Sequence, residues 1–351
     1  MKVLSIVGAR PQFVKLAPIA EAFTATSHSH VIVHTGQHYD AKMSDVFFAD
    51  LRIPAPDVHL GIGSGSHGVQ TGSMLAALDG VLDEHRPDWV LVYGDTNSTL
   101  AGALAAVKLH LPLAHLEAGL RSFNRAMPEE HNRVLTDHAA DLLLTPTQLG
   151  MDNLAREGLA ERAVRVGDVM TDVCFRVRDA VRNEPPALPD GVRAGDYIVS
   201  TVHRAENTDD PDRLRAIIEA LAGLDRPVVL LAHPRLVARC HEFGIKLERP
   251  DSSLHTAEPL PYPGMVAAVL HSAGVVTDSG GLQKEAYLLG RPCTTVRTET
   301  EWVETLEGGW NVLAEPDGLA AAVRRPAPTH PQGAPYGDGQ AATHVVDVLT
   351  R

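Results

Sequence analysis

The sequence predicts an α/β protein built as two Rossmann-like domains facing each other across a cleft, and three observations lead there. Short β-rich runs alternate with longer stretches of helical period, in the order Val3–Val7, Val14–Thr24, Val31–Thr35, Trp89–Tyr93 and Ser98–Leu109. The strand-like runs are nearly continuous in apolar residues, as parallel strands covered on both faces are. The same alternation restarts at Tyr197–Val202, after NEPPALPDGVRAG (183–195), a segment dense in Pro and Gly. At about 100–200 residues per domain, a chain of 351 residues has room for two. The expected division is 1–170 for the first domain and 171–351 for the second, with the last helix free to pack back on the first.

Within the first half a further buried strand is expected at Pro112–Glu117, with helices at Glu130–Ala140 and Gln148–Glu157. In the second half, strands at Val228–Leu231, Val275–Thr277 and Pro292–Val296 alternate with helices at Pro211–Ala222 and Gly281–Leu289. The stretch Arg324–Gly339, rich in Pro and Gly, reads as a surface connection before a closing helix at Ala341–Leu349. In such folds ligand sits at the carboxyl ends of the strands.

Composition removes several function classes. Apolar residues make up 44% and charged residues 21%, the balance of a globular protein rather than of a disordered or fibrous one. Lys plus Arg number 31 against 44 Asp plus Glu, so the net charge of −13 excludes a broad cationic surface for nucleic acid or anionic lipid. An anionic ligand would need a local basic pocket. The three cysteines, Cys174, Cys240 and Cys293, form no CxxC pair, which argues against a disulfide framework and a thiolate zinc site and fits a reducing cytoplasm. The opening apolar run ends at Gly8 and Arg10, and no apolar stretch approaches membrane-spanning length. A soluble, cytoplasmic protein is expected.

The histidine spacings His110/His115 and His131/His138 do not make an i, i+4 pair on a helix face, so no metal is expected. Gly63-Ser64-Gly65-Ser66-His67-Gly68 satisfies GxGxxG, but only Val58–Leu60 precedes it and Asp88 stands before a strand rather than after one. A flexible loop is the better reading than a nicotinamide site. No GxSxG occurs, and no cysteine sits in a nucleophile context.

The chemistry-bearing residues cluster where strands should end. Gly8-Ala9-Arg10-Pro11 follows the first strand and opens a helix, where Arg10 and Lys15 would meet phosphate oxygens, although a plain strand-to-helix turn has the same form. Asp95 lies just past one strand and Glu117 at the end of the next, so two carboxylates would share one cleft. Glu129 and Glu130 open a helix, and such acids are often only partners of the helix dipole. In the second half His203 and Arg204 follow a strand, with a satisfied structural histidine as the plain alternative. Asp278-Ser279-Gly280-Gly281 opens a helix whose free amides favour an anion, and Glu285 one turn later would accept from ribose hydroxyls.

Six segments, GARPQFVKLAPI (8–19), TGQHYDAKMSDVFF (35–48), YGDTNSTLAGALAAVKLHLPLAHLEAGLRS (93–122), MPEEHNRVLTDH (127–138), TVHRAEN (201–207) and TDSGGLQKEAYLLGRP (277–292), with PYGDGQA (335–341), together resemble the non-hydrolysing UDP-N-acetylglucosamine 2-epimerase family. The resemblance spans nearly the whole chain. It implies a fold of the glycosyltransferase-B type, a homodimer, and an isomerase that interconverts UDP-N-acetylglucosamine and UDP-N-acetylmannosamine without nicotinamide, metal or other cofactor. UDP is eliminated to leave 2-acetamidoglucal and is added back after a proton returns to the other face. Carried over by motif, Asp95, Glu117, Glu129 and His203 take the catalytic positions. Arg10, Lys15, Ser279, Gly280, Gly281 and Glu285 take nucleotide-binding ones, to which Arg204 is joined by its place beside His203.

The resemblance leaves other readings open: a hydrolysing relative that frees N-acetylmannosamine, an epimerase of a modified UDP-sugar, or a glycosyltransferase, since fold alone does not set function. The sequence also departs from the family's pattern. Where many members bind a second, activating substrate molecule, this chain has Tyr39-Asp40 and Gly63-Ser64-Gly65-Ser66-His67, which predicts an altered or absent allosteric site and a hyperbolic rate curve. Lys284 stands where many members carry an acid.

Overall fold

Val3, Leu4, Ile6 and Val7 are fully buried, and the strand they build, β1 (Lys2–Val7), lies inside a parallel sheet with neighbours on both sides. The computed structural model describes residues 1–37, 53–249 and 252–351, leaving the Arg10 side chain undescribed. Most of the TGQHYDAKMSDVFF stretch, Tyr39 and Asp40 included, lies outside the described residues.

By its internal contacts the chain divides into two units, Met1–Val173 with Ala334–Arg351, and Cys174–Gly333. In the first, β1 is followed by α1 (Arg10–Thr24), β2 (Ser29–His34), β3 (Val58–His59), α2 (His67–His85), β4 (Trp89–Tyr93), α3 (Asn97–Lys108), β5 (Leu113–Leu116), α4 (Pro128–Ala139), β6 (Leu142–Thr145), α5 (Gln148–Arg156) and β7 (Ala163–Arg165). The division falls within α6 (Val169–Val181). The second unit then runs β8 (Ile198–Thr201), α7 (Ala205–Thr208), α8 (Pro211–Ala222), β9 (Val228–Leu231), α9 (Pro234–Glu242), β10 (Leu254–Ala257), α10 (Tyr262–Leu270), β11 (Gly274–Thr277), α11 (Gly280–Leu288), β12 (Cys293–Thr295), β13 (Asn311–Leu313) and α12 (Leu319–Val323). The closing helix, α13 (Ala341–Leu349), belongs to the first unit.

Both sheets are parallel throughout. The first has the order β3-β2-β1-β4-β5-β6-β7 and the second β10-β9-β8-β11-β12-β13. The order therefore reverses once in each, between β1 and β4 and between β8 and β11, and ligands of open α/β sheets gather beyond the carboxyl ends at such switch points. Two apolar layers clad the first sheet. On one face Phe13, Leu16, Ile19 and Phe23 of α1 pack with Val345, Val346 and Leu349 of α13, and on the other Met74, Leu78 and Leu82 of α2 pack with Ala101, Ala105 and Ala106 of α3. Asp172 ties α13 down by accepting hydrogen bonds from the Ala341 and Ala342 amides at 2.9 and 2.8 Å.

One expected loop is shorter than the sequence suggests. Ser66 caps α2 by accepting from the Val69 amide, so His67 and Gly68 of the GxGxxG run are the first turn of a 19-residue helix. Its buried positions, Gln70, Met74, Leu78 and Leu82, recur every four residues, but Gly68, Gly72 and Gly80 in the same helix weaken the helical signal. Among the described residues no helix is long and apolar enough to cross a membrane.

Candidate functional site

In the first unit the strand ends are shaped by side chains that consume backbone donors. The Gln12 carboxamide oxygen accepts from the Gly8 and Ala9 amides at 2.8 and 3.0 Å, while its nitrogen donates to the Tyr93 carbonyl at 2.9 Å. Gln12 thereby locks the end of β1 to the end of β4. The Gly8 and Ala9 amides are thus already occupied, and the groups the sequence offers to phosphate there are the cations. Lys15 is one of them, and its ammonium forms an ion pair with the Glu117 carboxylate, both side chains being 13% exposed. Burial by itself would lower the Lys15 pKa, but the Glu117 and Asp95 carboxylates outweigh it and hold the ammonium above its ordinary value.

The ion pair lies against Gly94, whose φ is +61°, and a Cβ there would stand 3.1 Å from both Lys15 Nζ and Glu117 Oε2. Glu117 is itself in the left-handed region at φ +75°, which is costly for a residue with a side chain and occurs at over-determined, often functional positions. Because β4 and β5 are neighbours in the sheet, their ends bring Asp95 and Glu117 to the same edge. Asp95 is held by Arg133 of α4, with Nε and Nη2 at 2.9 and 2.6 Å from Oδ2.

Glu129 and Glu130 have separate tasks. Glu130 is 5% exposed and accepts from the Ser122 amide and hydroxyl, the Phe123 amide and Arg133 Nη1, all at 2.8 to 2.9 Å. Burial pushes its pKa up, but these donors outweigh burial and keep the carboxylate below its usual range. It is a fixed anion. Glu129, its half-buried neighbour, has no hydrogen bond or ion pair among the described residues. Arg133 escaped the sequence reading although it stands in the same PEEHNR run, because an arginine on a helix gives no sign of the carboxylates it will meet.

In the second unit the buried Asp278, at the end of β11, gathers the end of β8. Its carboxylate accepts from the His203 amide at 2.9 Å, the Arg204 amide at 2.9 Å, Asn207 Nδ2 at 3.1 Å and His203 Nδ1 at 3.1 Å. Burial raises the Asp278 pKa, and the bonds from His203 and Arg204 more than reverse it. His203 Nε2 is left with no hydrogen bond among the described residues, and the His233 ring, which the sequence reading passed over, lies 6.1 Å away. Arg204 is within 3.8 Å of Glu301.

Ser279 caps α11 through the Leu282 amide, leaving the amides of Gly280 and Gly281 without partners inside the helix. A Cβ on Gly280 would overlap Glu301 Oε1 and come within 3.3 Å of Trp302 Nε1, whereas a Cβ on Gly281 would meet nothing nearer than Ser279 Oγ at 3.9 Å. Glu285 is half-buried one turn on, beside Tyr262, whose hydroxyl pKa is pushed up by burial and by that carboxylate. Lys284 is buried with its ammonium 4.0 Å over the Trp302 ring.

Thiolate chemistry has no foothold here. Burial pushes Cys174 and Cys293 up to about 12 and Cys240 up to about 11, so the thiols stay protonated. Among the described residues no three His, Cys, Asp or Glu side chains gather to hold an ion. The structure therefore sets Lys15, Asp95, Glu117 and Arg133 at the switch point of one sheet, and His203, Arg204, Asp278 and the Ser279–Gly281 helix start at that of the other.

Relatives match the chain over nearly its whole length. The chain is 47% identical to a UDP-2,3-diacetamido-2,3-dideoxy-D-glucuronate 2-epimerase of Pseudomonas aeruginosa, with all of both chains covered. The crystal structure of Methanocaldococcus jannaschii UDP-GlcNAc 2-epimerase in complex with UDP-GlcNAc and UDP is similar at a TM-score of 0.82 and 39% identity, covering 100% of this chain and 99% of that one. The Neisseria meningitidis UDP-GlcNAc 2-epimerase bound to UDP-GlcNAc is similar at 0.84 and 27%, covering both chains completely. The family model for UDP-N-acetylglucosamine 2-epimerase matches residues 21–350. With that model spanning most of the chain and a relative of 47% identity covered end to end, the chain belongs to the UDP-N-acetylglucosamine 2-epimerase family.

Proposed function

We propose that the chain is a non-hydrolysing 2-epimerase that interconverts UDP-N-acetylglucosamine and UDP-N-acetylmannosamine. The reading is supported above all by the grouping of Asp95, Glu117 and Lys15 at one switch point in a member of this family. The C2 proton of a pyranose has no adjacent carbonyl to acidify it. Its removal becomes feasible when the C1–O bond to the diphosphate breaks in the same act or just before, so that UDP leaves with the bonding pair and C1=C2 forms. Lys15, Arg10, His203, Arg204 and the amides of Gly280 and Gly281 meet the charge that grows on UDP, and preorganised donors of this kind are worth roughly 2.7–4 kcal/mol each. Ser279 holds the helix start in place, and Glu285 accepts from the ribose.

Inversion at C2 needs a base on one face of the ring and an acid on the other. Asp95, Glu117 and Glu129 supply these groups. Return of the proton to the second face and re-addition of UDP at C1 complete the cycle, with no net water and no redox change. The enzyme works in the cytoplasm as a homodimer.

A second reading concerns the sugar alone. The 47% identity to the Pseudomonas aeruginosa enzyme favours UDP-2,3-diacetamido-2,3-dideoxy-D-glucuronate as substrate, with the same chemistry at C2. Incubation with each nucleotide sugar in deuterated water decides between them. The substrate acquires deuterium at C2 in both epimers with little free UDP, and stoichiometric release of UDP and free sugar would instead identify a hydrolysing enzyme. Light scattering checks the dimer.

A further inference from the structure

Helix α4 grips the Asp95 corner at three points. Asn132 Nδ2 donates to the Asp95 carbonyl at 2.9 Å, and Arg133 holds the Asp95 carboxylate. The third point is indirect. Asp137, fully buried one turn beyond Arg133, lies 2.6 Å from His115 Nδ1, and His115 Nε2 lies 2.7 Å from the carbonyl of Gly94. A carbonyl can only accept, and the ionised Asp137 can only accept, so both bonds use a ring N–H of His115. The second oxygen of Asp137 meets the Gly119 amide at 3.1 Å and Arg121 Nη1 at 2.7 Å, and Arg121 is paired in turn with Glu157. Burial raises the Asp137 pKa, and His115 and Arg121 reverse it. Four side chains, His115, Asp137, Arg121 and Glu157, are thus linked in one run of hydrogen bonds and ion pairs.

A buried histidine with both nitrogens bonded is often no more than a satisfied core residue. Here the acceptors argue otherwise. Gly94 precedes Asp95 and turns at φ +61°, and Gly119 follows Glu117 and turns at φ +83°. One carboxylate on α4, the helix that also carries Glu129, therefore fixes the turns that present both other acids. We propose that His115 is a positioning residue for the epimerisation, which aims Asp95 through the bond from Nε2 to the Gly94 carbonyl. The proposal rests on the reading of Asp95 as an acid–base group.

Two substitutions separate aim from packing. The amide nitrogen of His115→Gln reaches the place of Nε2 and keeps the bond to Gly94, whereas that of His115→Asn reaches the place of Nδ1 and keeps only the bond to Asp137. Each loses one buried bond, so a merely structural role moves melting temperature and kcat alike in both. Positioning predicts a kcat at least about 100-fold down in His115→Asn, the scale of a lost acid–base contribution, and within about tenfold of the parent in His115→Gln, with UDP affinity unchanged in each. Equal losses in the two variants overturn the proposal. Asp95→Asn is the control, because if it turns over normally the functional reading itself fails, whatever His115 does. Should either variant not fold, a long-range proton–nitrogen spectrum of the histidine-labelled parent protein replaces it. Protons on both His115 nitrogens support the bonding, and a bare Nε2 overturns it.

Discussion

The Lys15 ammonium and the Glu117 carboxylate pair directly above the Gly94 turn, although 102 residues separate them in the chain. Under the proposed chemistry the pairing gives each a second task. Glu117 holds the cation that would stabilise a leaving diphosphate, and Lys15 keeps two neighbouring carboxylates, Glu117 and Asp95, from repelling each other. A substitution at Glu117 should therefore alter turnover and the charge balance of Lys15 together.

For Glu117→Gln the expected outcome is a turnover reduced at least about 100-fold, as for the loss of an acid–base group, with UDP affinity retained or slightly improved because Lys15 is freed for phosphate. Stopped assays of C2 epimerisation and titration calorimetry with UDP measure the two quantities. A weakened UDP affinity with normal turnover would show that Glu117 only supports Lys15.

Glu129 and Glu130, adjacent in sequence, should fail in opposite ways. Glu130→Gln removes a charged acceptor from two amides, a hydroxyl and Arg133, and hydrogen bonds to charged groups are worth about 1.5–3 kcal/mol, so denaturant unfolding should show a loss of about that size. Glu129→Gln breaks no bond among the described residues and should leave stability within about 0.5 kcal/mol while lowering turnover at least about 100-fold. The reverse pattern would make Glu130 the reacting group.

How far the sequence anticipated this site follows from what each interaction depends on. Asp95, Glu117 and His203 were legible because a polar residue directly after a buried strand has one place to go, the carboxyl edge of the sheet. The partition between Glu129 and Glu130 was not, since it turns on the chain between β5 and α4 bringing two amides to one carboxylate. His115 carries no local signal of its role, because its partners Asp137 and Gly94 lie 22 and 21 residues away in the chain. Helix α2 carries a weak signal for a local reason, its glycines, whereas α13, expected after the Pro- and Gly-rich stretch, buries Ala341, Ala342, Val345, Val346 and Leu349 at helical spacing.

Acid should weaken the second unit through Asp278. Its folded pKa lies below the ordinary value, so the stability it contributes is complete above the unfolded pKa of about 3.9 and is lost as pH falls through the lower, folded one. Asp278→Asn should therefore cost about 1.5–3 kcal/mol at neutral pH, with the gap to the parent protein closing below about pH 4. Urea unfolding across pH 3 to 8, at intervals of about half a unit around that value, provides the check. A gap independent of pH would mean that the bonds to His203, Arg204 and Asn207 do not depend on the charge.

Two glycines should respond differently to the same added methyl group. At Gly8 a Cβ would fall within the contact radius of the buried Thr35 Oγ1 and Ser98 Oγ, which are themselves bonded to each other at 2.8 Å and cannot retreat. Gly8→Ala should therefore cost about 1–3 kcal/mol of stability, the usual range for overpacking. At Gly280 the obstacle is the end of the Glu301 side chain, which is 39% exposed and can shift by loosening its pair with Arg297 at 2.8 Å, so Gly280→Ala should fold with a loss of no more than about 1 kcal/mol. Its effect should fall on ligand, because the methyl group and the displaced carboxylate occupy the approach to the α11 amides. UDP affinity is expected to drop at least about tenfold, equivalent to 1.4 kcal/mol, with no comparable loss in Gly8→Ala molecules that remain folded. Unfolding curves and UDP titrations of the two variants separate these effects. Normal UDP affinity in Gly280→Ala would remove the α11 start from the nucleotide site.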